Sequence, residues 1–153
     1  ALDYLRIHKT DIRIARIFNT YGPRMAQKDG RVISNFISQA ICGEPRYIYG
    51  SGDQTRSFCY VGDLIQGLKK LMDSNYNLPI NLGSQEELSI LNLAKIIKKK
   101  INDKVDIVYL KELEDDPVRR QPDTDLAVKL LKWKAKTPIE DGLELTIKNF
   151  LNN

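Results

Sequence analysis

The sequence predicts an α/β fold. Three observations carry that prediction: short apolar runs alternate with helical repeats along the chain, turn residues separate them, and the composition suits one packed unit. The 153 residues are 42% hydrophobic and 29% charged, with both signs interspersed and a net charge of +4. A chain of this size and composition can bury a sizeable core.

Residues 1–8 have helical spacing, with Leu2, Tyr4 and Leu5 apolar. No capping residue and no initiating Met precede this helix, so the expectation is a cut chain. Residues 11–18 (DIRIARIF) alternate and predict a strand. Residues 19–30 predict a loop broken at Gly22-Pro23. Over residues 31–42, Val32, Phe36, Ile37, Ala40 and Ile41 fall at helical intervals, and Gly43 stops the helix. Residues 47–49 predict a short strand, 50–55 a Gly-rich loop and 58–61 a second extended stretch.

Asp63 is a candidate cap for a helix to Met72, with Leu64, Ile65, Leu68 and Leu71 inward. Residues 79–82 predict a strand ending at Gly83, and Ser89 caps a helix running to Ile101. Residues 105–109 predict a strand, 113–122 a charged loop, and Asp123 the start of a short helix to Leu131. Thr137, Pro138 and Glu140 read as a capping box with Pro at the first position of the last helix.

Several function classes drop out. The single histidine, His8, and the two cysteines, Cys42 and Cys59, offer no zinc-ligand spacing and no nucleophile–histidine arrangement, so no metal is expected. Two cysteines make no disulfide framework and read as buried free thiols in a reducing cytosol, giving a cytoplasmic expectation. The lysine run 98–100 lacks interleaved aromatics, which argues against nucleic acid as a partner. No apolar run reaches membrane-spanning length, so no membrane partner is expected. Residues 50–55 (GSGDQT) imitate a dinucleotide fingerprint, but the third glycine is missing and the following residues read as extended, where that fingerprint must open a helix.

Three loops carry dense polar residues: RIFNTYGPR with DGR at 16–31, YGSGDQTR at 49–56, and DDPVRRQPD at 115–123. The first follows a strand at its C-terminal end, where ligands sit in open α/β sheets. The second and third each supply an arginine, Arg56 and Arg120. Two guanidiniums from separate loops suit a diphosphate, since each binds phosphate oxygens bidentately. Surface ion pairs with Asp53 or Asp116 satisfy the same residues equally well.

The strings RIFNTYGPRM, DGRVISNFI, YGSGDQTRSFCYVGDL, PINLGS and DDPVRRQPD, in that order, resemble the extended short-chain dehydrogenase/reductase family of NAD-dependent epimerases and dehydratases, and within it the branch that decarboxylates UDP-glucuronate. The resemblance implies the C-terminal part of an extended Rossmann-type fold. Residues 1–30 would be the tail of the cofactor domain and 31–153 the substrate-binding portion, with one Rossmann strand returning near 79–83. It implies NAD as cofactor, a UDP-sugar substrate and a homodimer. It also implies that UDP-glucuronate is oxidised at C4, loses carbon dioxide as a β-keto acid, and is reduced again to UDP-xylose. Related 4,6-dehydratases, 4-epimerases or a non-catalytic sugar-nucleotide-binding module are the alternatives.

By the same resemblance Thr20 and Arg31 lie near the cofactor. Asn19, Asn35, Tyr49, Gln54 and Arg56 contact the nucleotide sugar. Arg120 contacts substrate and is the catalytic candidate as a proton donor, with Arg119 its weaker neighbour. The family's Tyr-x-x-x-Lys pair has no counterpart here, because none of the seven tyrosines has a lysine four residues on. This places the catalytic pair upstream of Ala1.

Overall fold

In the computed structural model, residues 2–27, 29–102, 104, 106–112, 114 and 116–152 are described. The predicted positions Ala1, Val105, Leu113 and Asp115 lie outside them. Fifteen elements follow in order, helices and strands intermixed as expected of an α/β chain.

Helix α1 (Leu2–His8) leaves Tyr4 and Ile7 exposed and leads to strand β1 (Ile14–Ile17). The strand is half the predicted length. Arg13, just before it, turns its guanidinium onto Asp11 and the carbonyl of Ser74. Strand β2 (Thr20–Tyr21) forms inside the stretch expected to be loop. Helix α2 (Val32–Cys42) ends where predicted, at Gly43 with φ of 72°. Its buried stripe is Ile33, Phe36, Ile37 and Ala40, which leaves Ile41 and Cys42 rotated outward. Cys42 is thus exposed, not buried as expected, and Cys59 is the buried thiol; both are free.

Strands β3 (Arg46–Tyr49), β4 (Thr55–Ser57) and β5 (Cys59–Tyr60) precede helix α3 (Val61–Met72). Asp63 does not cap that helix. It lies within the first turn, and its carboxylate accepts the N–H groups of Lys136 (2.9 Å) and Thr137 (2.8 Å). Ile65, expected inward, is 55% exposed, because the inward stripe runs through Leu64, Gly67 and Leu71.

Strands β6 (Pro79–Leu82) and β7 (Glu87–Ser89) follow, then helix α4 (Ile90–Ile101), whose Ser89 cap accepts from the Asn92 N–H as predicted. Strands β8 (Ile107–Leu110) and β9 (Arg119–Arg120), and helices α5 (Asp125–Leu131) and α6 (Ile139–Leu151), complete the chain. The predicted capping box before α6 does not form. The cap position is Pro138, one residue late for Thr137, whose own N–H goes to Asp63.

The pairs β1–β6, β2–β5, β3–β8 and β4–β9 are parallel, and β4–β7 is antiparallel. Parallel pairing needs crossover connections, and helices provide them here. Two cores result. One gathers Ile80 and Leu82 of β6 with Leu64, Leu71, Leu131 and Trp133. The other packs α2, α4 and α6 around Ile37, Ile48, Leu93, Ile97 and Leu143. The β2–β5 pair joins them. Cys59 belongs to the first core and Tyr21 to the second, and the Tyr21 ring meets Tyr60 edge-on at 5.9 Å. Tyr21 reaches Ile139 at the start of α6 (Oη to the carbonyl, 3.4 Å) only because position 142 is glycine, since a Cβ there would overlap the phenol oxygen.

Two predictions follow from this packing. In an exposed helix Gly→Ala gains about 1 kcal/mol, but overpacking a core costs about 1–3 kcal/mol. With Tyr21 only 2% exposed, Gly142→Ala is expected to lower unfolding free energy in urea, and an unchanged midpoint would show that the ring yields freely. Burial, then the nearby Asp63 carboxylate, pushes the Cys59 thiol up to about 12. A thiol raised in the folded state stabilises the fold fully below its unfolded value of about 8.5, and that contribution is lost as pH rises toward the folded value. At pH 8 a thiol-specific disulfide reagent should therefore modify Cys42 alone in the native protein and both cysteines after denaturation.

Candidate functional site

A cavity of about 490 Å³ opens between α2, β3 and the start of β4. Its volume falls in the range of small-molecule sites, roughly 300–1,000 Å³. Seven of the eight residues singled out from sequence line it: Asn19, Thr20, Arg31, Asn35, Tyr49, Gln54 and Arg56. Arg120 is not part of the lining.

Each is placed by local structure. Asn19 and Thr20 stand where β1 hands over to β2. There the Phe18 N–H bonds Leu82, the Cys59 N–H bonds the Asn19 carbonyl at 2.8 Å, and the Thr20 hydroxyl donates to Phe18 at 2.8 Å. Arg31 and Asn35 sit on the first turn and a half of α2. The Arg31 guanidinium is held by Asp29 (2.8 Å) and reaches the Thr20 carbonyl (3.4 Å). Burial works against the Asp29 charge, yet the Ser34 hydroxyl, the Arg31 N–H and the Arg31 guanidinium together keep its carboxyl below the ordinary value. Asn35 donates to the Gly30 carbonyl at 3.2 Å and Gln54 to the Tyr49 carbonyl at 3.0 Å.

The Gly-rich loop behaves as the sequence indicated. It enters strand β4 instead of a helix. Its Gly52 and Gln54 carbonyls take the N–H groups of Leu91 and Ile90, the first donors of α4. That helix end is thereby satisfied by backbone and is not an open anion site. Gly52 has φ of +80°, and its Cα lies against Ile48 and Leu91, so a side chain there would be strained and crowded.

Arg56 is the charged centre of the site. It is 8% exposed and forms an ion pair with Asp116 (Nη2 to Oδ1, 2.5 Å), with a second bond to the Thr55 carbonyl at 2.8 Å. The ion-pair reading thus holds for Arg56 in this state, and the partner is Asp116, not Asp53. Asp116 itself lines the cavity.

The register of β9 separates the two neighbouring arginines. β4 and β9 pair in parallel with Thr55 opposite Arg119 and Arg56 opposite Arg120. Directly opposed residues share a sheet face and successive residues alternate. Arg120 is therefore on the Arg56 face, exposed and without a side-chain partner among the described residues. Arg119 is on the other face, where it binds Glu87 at 2.9 and 2.5 Å and Gln121 at 2.7 Å, with Thr55 also donating to Glu87. The Arg119 and then the Thr55 hydrogen bonds lower the Glu87 carboxyl, and Glu87 raises Arg119 in turn.

Sequence reasoning passed over Tyr47, Phe58 and Gln39, which also line the cavity. Tyr47 and Tyr49 share one face of β3 and are 40% and 43% exposed; the parallel register sets Val108 and Leu110 beside them. The alternation Tyr-Ile-Tyr was the available signal. Among the described residues no group of His, Cys, Asp and Glu could hold a metal, and no helix is long and apolar enough to cross a membrane.

Comparison with known proteins adds the following. The profile of the NAD dependent epimerase/dehydratase family matches residues 1–83. UDP-glucuronic acid decarboxylase 1 of Xenopus tropicalis is 50% identical over 147 residues, 96% of this chain and 35% of that protein. The chain thus spans about a third of the length of that curated relative. The crystal structure of UDP-glucose 4-epimerase from Thermotoga maritima with UDP-glucose superimposes with a TM-score of 0.93 at 26% identity, covering 99% of this chain and 49% of that one. UDP-glucuronic acid 4-epimerase from Bacillus cereus, in complex with UDP-glucuronic acid and NAD, superimposes at 0.88 with 28% identity, covering 99% and 48%.

Proposed function

Because this chain belongs to the NAD-dependent epimerase/dehydratase family, we propose that it is the nucleotide-sugar-binding part of a UDP-glucuronate decarboxylase. In this reading residues 1–30 are the tail of the cofactor domain and 31–153 the substrate portion, from which one Rossmann strand near 79–83 returns to the cofactor domain beside β1. The observation that carries the reading is the cavity itself: one nearly buried guanidinium, two tyrosines on a sheet face and a set of side-chain amides, in a space suited to a nucleotide. The 50% identity to a decarboxylase favours that branch over the epimerases, which share the fold at lower identity.

Each residue then has a task. Tyr49 and the Gln54 loop hold the uridine, Arg56 the diphosphate, and Asn19 and Asn35 the sugar. Thr20, which lines the cavity, and Arg31, whose side chain is 62% exposed, are free to touch NAD at its edge. NAD, when bound, supplies the hydride acceptor for the sugar C4. Oxidation at C4 makes the C6 carboxyl part of a β-keto acid; loss of carbon dioxide leaves an enolate, which takes a proton at C5, and return of the hydride to C4 would then complete the UDP-pentose. Arg120, an exposed cation on the Arg56 face, stabilises the enolate charge and is the candidate donor of the C5 proton. Base chemistry at the 4-hydroxyl needs a group this chain does not offer, since no tyrosine has a lysine four residues on.

This 153-residue chain alone is expected to bind UDP, to bind NAD weakly, and to release no carbon dioxide from UDP-glucuronate with NAD. Titration calorimetry and a carbon dioxide assay check this; micromolar NAD affinity or turnover would overturn it. Formation of UDP-galacturonate by the complete enzyme would favour an epimerase, and absence of UDP binding would remove the nucleotide-sugar reading.

In the complete enzyme, a charge-assisted contact is worth about 1.5–3 kcal/mol. Arg56→Ala should therefore raise KM about ten- to hundredfold. Arg120→Ala should lower kcat as well, because its interaction belongs to the transition state. Arg119→Ala should be mild. Normal kinetics for Arg120→Ala with a large loss for Arg119→Ala would reverse the assignment.

A further inference from the structure

Arg56 is charged, nearly buried and already satisfied. Its side chain is 10% exposed, and Asp116 sits on its Nη2 at 2.5 Å with 32% of its own side chain exposed. Both line the cavity. The Nη2 donor held by Asp116 cannot also be given to a phosphate, and a carboxylate that close to the guanidinium repels an anion approaching it. Asp116 comes from the segment joining β8 to β9, away from the paired strands, while Arg56 is locked in β4 between β7 and β9. Of the two partners, the carboxylate is the more exposed and the one outside a paired strand.

Resting on the nucleotide-sugar reading above, we propose that Asp116 is a displaceable counter-ion. It neutralises and orients Arg56, and the diphosphate of the ligand must expel it to bind. An unpaired cation this deeply buried would be costly, and a carboxylate on a surface segment removes that cost until an anion of higher charge arrives. Charge also favours the exchange. With Asp116 in place, the Arg56 and Arg120 pair presents one net positive charge. With Asp116 gone, two guanidiniums on one sheet face meet a diphosphate of comparable opposite charge. The segment that carries Asp116 continues directly into β9 and Arg120, so expulsion of the carboxylate and placement of Arg120 are mechanically linked.

The competing possibility is that Asp116 is a fixed positioning group, retained beside Arg56 when ligand binds. The two differ in sign. If Asp116 competes, Asp116→Asn should tighten UDP binding about three- to tenfold in calorimetry and leave uridine, which has no phosphate, unchanged. Glu114→Gln removes the same charge from the same exposed segment and should alter UDP affinity less than twofold, which separates competition at Arg56 from general electrostatics. A structure of the wild-type protein with UDP, which does not depend on the variant folding, should show the Arg56–Asp116 distance beyond about 4 Å, the limit of an ion pair. Weaker or unchanged UDP binding by Asp116→Asn, an equal gain from Glu114→Gln, or an intact pair in the UDP complex would each overturn the proposal. If the wild-type chain binds uridine but not UDP, or neither, the nucleotide-diphosphate reading itself fails, a result distinct from those.

Discussion

The structure depends on a short parallel seam, β2 against β5. Only Thr20–Tyr21 and Cys59–Tyr60 form it, yet one core lies on each side. Both tyrosines of the seam pack toward the second core, and Cys59 packs into the first. Burial, reinforced by the nearby Cys59, Tyr60 and acidic groups, pushes the Tyr21 phenol far above its ordinary value, so it remains a neutral hydroxyl that can pack and bond. The seam also fixes the mouth of the cavity. Asn19 and Thr20 precede or start one strand, and Arg56 lies three residues before the other. Moving either strand would separate the amide from the guanidinium.

Sheet alternation does the remaining sorting. A lone pair of adjacent arginines is ambiguous in sequence, and both are exposed on the short strand β9. Once β9 is registered on β4, one residue falls on the Arg56 face and the other on the Glu87 face. The Arg119–Glu87 pair lies at the surface, where such bonds add little to stability. Its effect is to hold the register: Thr55, Glu87 and Arg119 bind one another across three strands, which keeps Arg56 and Arg120 together on the opposite side.

The elements legible in the sequence are those with a long apolar period. α2 was readable because Phe36, Ile37 and Ala40 recur at helical spacing, and Gly43 and Ser89 marked one end each of α2 and α4 by capping chemistry. β2, β7 and β9, of two or three residues, have no period to read; they exist through partners 30 to 64 residues away. Asp63 shows the limit of local rules. Its position suits a cap, but the long-range offer of two N–H groups from residues 136 and 137 wins, and the same bonds displace the box predicted at Thr137. For the site, seven of the residues named from the family resemblance line one cavity, whereas Tyr47 and Phe58 read as ordinary strand residues, although alternation along β3 puts Tyr47 on the Tyr49 face.

Burial sets different requirements for the two arginines that share a sheet face. Arg56 is held by a strand on either side, a backbone carbonyl and Asp116, so its rotamer entropy is already lost before any ligand arrives. Arg120 is exposed and unpartnered among the described residues, and must still lose that freedom on binding. A preorganised contact adds to affinity, because its ordering cost falls on folding and not on association. A cation still free to reorient contributes less, because its ordering cost falls on association. The fold thus gives two guanidiniums on one sheet face different freedom, with the difference set by how deeply each strand position is buried.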